Sequence, residues 1–139
     1  MANKVRFLIA SKLDDATVSA SSEVSGLLAG NVRDELVRKV YRTTGRSNEW
    51  ITLHASGATQ TGINCVHLSN FSASRTATIL WQGNSTSNFA SGPALSTSLT
   101  MATDAQGNEI RKLTHFYDTE ERHEFWRLYV EDSLNASIN

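Results

Sequence analysis

The sequence predicts an all-β fold, a jelly-roll sandwich of about eight antiparallel strands. Three observations carry that prediction. Short runs of strict polar–apolar alternation recur along the chain, as in EWITLHA at 49–55 and FWRLYVE at 125–131. Turn-forming Gly, Asn, Asp and Ser separate these runs, in a chain with a single proline. Ser and Thr make up roughly a fifth of the residues, and short β-branched runs are common, as suits a sheet with polar surfaces. At 139 residues the chain is expected to form one domain over 1–139, large enough to bury a core without metal or disulfide.

The elements follow in order. KVRFLI at 4–9 alternates Val5, Phe7 and Ile9 against Lys4, Arg6 and Leu8, as a half-buried first strand does. SKLDDA is a turn, and ATVSAS reads as a second short strand. Residues 23–42 lose the alternation and carry much of the charge of the first half. They predict a long loop or a short helical turn beginning near Asn31, with Leu36, Val37 and Val40 on one side. EWITLHA puts Trp50, Thr52 and His54 on one face and Ile51 and Leu53 on the other. GINCVHLSNF has apolar residues on both faces and reads as a central strand. RTATILWQG is the next strand, and NSTSNFASG a polar loop with one exposed aromatic, Phe89. PALSTSLTMA offers Leu95, Leu99 and Met101 to the core, and TDAQGNE is a turn. IRKLTHFY and HEFWRLYVED close the fold, the second alternating Phe125, Arg127 and Tyr129 with Trp126, Leu128 and Val130.

Composition excludes several functions. A formal net charge of −1 offers no basic balance for nucleic acid. The lone Cys65 cannot form an intrachain disulfide, and no apolar run reaches the roughly 20 residues of a membrane span. The N-terminus alternates instead of building a secretion signal, so a cytoplasmic origin is expected.

The middle of the chain resembles a known family. VYRTTGRSNEWITL, TGINCVHLSNFSASRTATILWQGN and EFWRLYVED together resemble the galactose-binding-like (discoidin-like) jelly-roll domain, in the version found in structural proteins of tailed bacteriophages. The matching stretches are Arg42 to Gly45, Trp50 to Leu53, Ile63 to Asn70, Thr76 to Gly83 and Phe125 to Val130. Two departures are plain. LHASG lacks the acidic residue of the family's Asp-Leu-Gly, which removes support for a cation or sugar role there. The family also carries one more strand after the Trp-Arg one. The resemblance therefore implies that a degenerate last strand, a partner chain or a further segment completes the sheet edge.

No catalytic set assembles from these positions. Cys65 alternates within an apolar strand, no Ser lies in G-x-S-x-G, and the carboxylate pairs Asp14–Asp15 and Glu120–Glu121 are sequence neighbours of the kind found in turns and surfaces. His54, His67, His115 and His123 lack metal-ligand spacing, so neither metal nor cofactor is expected. Trp50 and Trp126 read as core. Arg42 and Arg46 read as loop tethers to backbone carbonyls. Trp81, at a strand end beside a polar loop, is the candidate for ligand stacking, with Asn84, Asn88 and Phe89 around it.

The resemblance implies a non-enzymatic virion component of a phage tail, baseplate or fibre, assembled in the host cytoplasm. It would dock other virion proteins in an oligomeric assembly. The alternative is a carbohydrate-binding module that recognises host surface glycan. Nucleic acid and membrane insertion are not expected with either.

Overall fold

The computed structural model describes residues 16–33, 41–55, 60–69 and 71–133. The strand expected at 4–9 lies outside them, as do Leu36, Val37 and Val40. Nine strands occur among the described residues: β1 (Ala16–Ala20), β2 (Glu49–Ala55), β3 (Thr61–Ser69), β4 (Thr78–Asn84), β5 (Leu95–Ser98), β6 (Ala102–Thr103), β7 (Glu109–Ile110), β8 (Lys112–His123) and β9 (Phe125–Glu131). A single 3₁₀ turn covers Ala29–Arg33, slightly ahead of the helical turn expected from Asn31.

Five strands form one antiparallel sheet in the order β1-β2-β9-β4-β5, which places β9 at its centre. β3 pairs with β8 in a second layer, and β6 pairs with β7 in a short ribbon. Among the described residues the apolar run of β3 pairs on one side, with β8: Val66 and Leu68 pack inward, while Asn64 and His67 are exposed. β8 is longer than expected because its middle bulges. Between the pairs Ile63–Glu121 and Cys65–Phe116, Asn64 alone faces residues 117–120, and this breaks the alternation of the polar stretch after Tyr117.

Period-two alternation decides which residues of each strand share a face, and the second layer decides which face is buried. Ile51, Leu53, Ile79, Trp81, Trp126, Leu128 and Val130 share the inner face of the large sheet. They pack with Val66, Leu113 and Tyr117 of the second layer. Trp126, 2% exposed, is the centre of this core and donates its Nε1–H to Thr61 O at 3.3 Å, joining the layers. Tyr117 and Thr97 hydroxyls meet at 3.0 Å and form a second link. The His123 ring lies edge-on to Trp126 at 5.0 Å and directly over Gly83, where a Cβ would stand 2.2 Å from the ring.

At one end of the sandwich the β1–β2 connection is knotted by hydrogen bonds. Val24 and Leu27 close a turn whose Gly26 takes φ 81°, as the third residue of a type II turn requires. Arg42 N–H donates to Leu27 O and its carbonyl accepts from Val24 N–H, so backbone bonds tie Arg42 into this connection. Glu49, 6% exposed, accepts from the hydroxyls of Ser21 and Ser22, and these in turn accept from Trp50 N–H and Thr44 N–H at 2.9 and 3.0 Å. Asp132, also buried, accepts from Ser74 N–H and Oγ–H, each at 2.6 Å. Tyr41 donates to Ser22 O at 2.9 Å, and burial, reinforced by nearby Glu49, pushes its pKa up to about 12.

Candidate functional site

The outer face of the large sheet has an unusual composition. On β9 it presents Phe125, Arg127 and Tyr129 in a row. The register sets His54, Thr52 and Trp50 of β2 beside them on one flank and Asn84, Gln82 and Leu80 of β4 on the other. A solvent-side sheet face is ordinarily polar; this one carries three aromatic residues and a histidine around one arginine.

Arg127 is the hub. Its Nε–H donates to Gln82 Oε1 at 2.8 Å, and Gln82 Nε2 donates to Ser96 Oγ at 3.2 Å, a relay that crosses β9, β4 and β5. The guanidinium carbon lies 4.2 Å from the Phe89 ring centroid and 5.6 Å from that of Tyr129, both within cation–π range. Burial pulls the Arg127 pKa below its usual value, and Tyr129 partly offsets this. The Tyr129 pKa is raised, first by burial and then by Glu131. Tyr129 donates its hydroxyl to Asn48 Oδ1 at 2.8 Å, and this fixes the ring. His54 stacks flat on Phe125, with 4.3 Å between centroids, and faces Glu124 Oε1 at 3.4 Å.

The 84–92 loop folds back over this face. Asn84 Nδ2 donates to Asn88 O at 2.8 Å and Asn84 Oδ1 accepts from Ser85 N–H at 3.0 Å. Asn88 Oδ1 accepts from Ala90 N–H at 2.9 Å, and Gly92, at φ 97°, turns the chain into Pro93. The loop is thus held by its own bonds, and it seats Phe89 beneath Arg127.

The structure brings three of the four expected ligand residues together here and separates the fourth. Trp81 sits on the opposite face, 5% exposed, with its ring stacked on Trp126 at 5.5 Å. A sugar cannot reach that ring without opening the core, which corrects the stacking role expected of Trp81. Phe89 is 6% exposed and not a solvent-facing loop aromatic, because its ring carries the guanidinium. Asn84 is buried and serves as a loop staple. Asn88 is exposed, with its amide nitrogen free to donate. Trp50, expected in the core, is on the outer face instead, only partly buried.

Sequence reasoning missed Arg127, Gln82 and Tyr129. The signal was there in the alternation, which set an arginine between two aromatics on one face of the most apolar late strand. Among the described residues no group of three or more His, Cys, Asp or Glu is arranged to hold a metal ion. His67 bonds Thr114, His115 meets the Tyr117 ring edge-on, and His123 packs on Trp126. A depression of about 250 Å³ lies between β5 and β8, lined by Ser98, Leu99, Thr100, Leu113, Thr114 and His115, away from the expected residues.

No protein-family model matches the chain, and no curated protein sequence matches it. Solved structures match it over nearly the whole of this chain. Chitosan-binding module 1 of a chitosanase/glucanase from Paenibacillus sp. IK-5 aligns with a TM-score of 0.61 at 19% identity, covering 93% of this chain and 92% of that one. The family 32 carbohydrate-binding module of C. perfringens NanJ, in complex with galactose, aligns at 0.61 with 13% identity and 91% of each chain. Another Clostridium perfringens module, in complex with GalNAc-β-1,3-galactose, aligns at 0.62 with 16% identity, over 92% and 95%. At these identities the likeness shows the fold, and the expected jelly-roll sandwich stands. None of these neighbours supports the virion subtype.

Proposed function

We propose that this chain is a non-catalytic carbohydrate-binding module, with its ligand on the outer face of the five-stranded sheet. The observation that carries this is the grouping of Trp50, Tyr129 and Arg127 on one partly exposed face, with exposed Asn88 next to the Phe89 that packs on Arg127. Pyranose rings bind proteins by laying their C–H faces on aromatic rings while fixed donors and acceptors take their hydroxyls. Tyr129 and Trp50 supply the first kind of contact, and Arg127 and Asn88 the second. The fold neighbours support the same class: the modules just described are chitosan-binding or carry galactose or GalNAc-β-1,3-galactose. The ligand-stacking role passes from Trp81 to Tyr129 and Trp50, while Asn88 keeps its place at the rim.

Docking of virion proteins, and a place in a virion, find no support in the fold neighbours. A glycan array probed with the intact chain tests the proposal. Binding to at least one oligosaccharide class, weakened by Tyr129→Ala in a variant that melts like the parent, is the expected result. Silence across neutral and acidic glycans would remove the reading.

A further inference from the structure

We infer that the sugar this face takes is acidic, its carboxylate held end-on by the two terminal nitrogens of Arg127. The inference rests on the carbohydrate-binding reading and names its ligand class. Of the five N–H donors of Arg127, only the one on Nε has an acceptor among the described residues, Gln82 Oε1. Among the same residues Nη1 and Nη2 have none and no carboxylate pairs with the guanidinium, although it lies partly buried among aromatic rings. The terminal nitrogens stay open to solvent while the rings thin the water around them, so an incoming anion finds a reachable positive charge with no counter-charge beside it.

The neighbouring acids do not supply that counter-charge. Glu131, on the same face of β9, accepts from Asn48 N–H at 2.7 Å, and Glu124, before β9, faces His54. Both are held away from Arg127 by their own partners. The guanidinium itself is preorganised: Gln82 fixes its Nε edge, and Phe89 and Tyr129 fix its plane. The free Nη edge matches the two oxygens of a carboxylate, whereas a hydroxyl satisfies one N–H at a time. The adjoining Tyr129 and Trp50 rings would hold the sugar that carries the acid.

The test is calorimetric titration of the intact chain with two matched pairs, trigalacturonide against its methyl ester and sialyllactose against lactose. A sulfated trisaccharide serves as a second anion source. The expected result is at least a roughly tenfold preference for one free acid over its neutral partner, the scale of a charge-assisted hydrogen-bonded pair. That preference should weaken as salt rises. Arg127→Lys, which keeps the charge and loses the fork, should collapse the acid-to-neutral ratio toward one; if it does not fold, the wild-type ratio decides alone. Equal binding of acid and neutral partner would overturn the acidic ligand and leave carbohydrate binding intact. Binding of the sulfated sugar in preference to both acids would overturn the carboxylate assignment, as would failure of both acids to bind. An array also silent to neutral glycans would remove the broader reading too.

Discussion

Replacing Glu49 with Gln should loosen the β1–β2 connection. Glu49 is 6% exposed and its carboxylate receives two serine hydroxyls, from Ser21 and Ser22. Those hydroxyls orient the acceptor oxygens that meet Trp50 N–H and Thr44 N–H, so the acid organises four hydrogen bonds. Both hydroxyls meet the same oxygen, Oε2, and Gln keeps the volume and a carbonyl oxygen there, but that oxygen carries no charge. Two charge-assisted bonds become neutral ones, at about 1 kcal/mol each. Such a loss costs about 1.5–3 kcal/mol. With an unfolding entropy of about 2.1 cal/mol/K per residue, this chain has about 0.29 kcal/mol/K in all, so Tm should fall by about 5–10 °C. Scanning calorimetry of the two proteins measures this, with the exposed Ser47→Ala as a control expected to shift Tm by less than about 2 °C. A Glu49→Gln shift no larger than that of the control would refute the assignment of Glu49 as the organiser of this loop.

Other outcomes follow from the core and from the buried hydroxyls. Trp81→Ala should cost about 3–5 kcal/mol by thermal or denaturant unfolding and Trp81→Phe much less, because the residue is core; a stability-neutral Trp81→Ala would put the ring back at the surface. Gly83→Ala should cost about 1–3 kcal/mol, because the new Cβ meets the His123 ring. His123→Ala should relieve that penalty in the double variant, and strict additivity would deny the contact. Tyr41, with its folded pKa raised to about 12, holds its proton in the folded state while the unfolded chain releases it near pH 10. Its contribution to stability is therefore full below about pH 10 and is lost as pH rises toward 12, by about 1–2 kcal/mol once solvent screening is discounted. Urea unfolding between pH 9 and 11.5 should show a shallower decline for Tyr41→Phe than for the parent.

Alternation made most of the fold legible. Every residue of β2 and β9 lies on the face that its neighbours predicted relative to one another, because pleat geometry is local and allows no other arrangement. What alternation cannot say is which of the two faces is the inside, since that depends on where the second layer lies. Trp50 and Trp81 show the cost: each stands beside polar residues in the sequence, yet Trp81 is core, in the middle of β4, and Trp50 faces outward. Phe89 was misread for a related reason. A loop aromatic among Asn, Ser and Thr looks exposed until the arginine five strands later in the chain is brought against it. The single-residue opposition of Asn64 to residues 117–120 was likewise invisible, because a bulge is a property of a pair of strands and not of either sequence.

The central claim is that a glycan lies against the outer face of the five-stranded sheet, and a two-dimensional ¹H–¹⁵N titration of the intact chain with its best array ligand tests it most directly. The account predicts saturable shifts gathered on the Trp50 indole, the Asn88 side-chain amide, Arg127 and the Tyr129 amide, with β3, β8 and the Glu49 loop unmoved. Shifts gathered instead around Gly45 and Asp132 at the end of the sandwich, or along the β3–β8 layer, would contradict it.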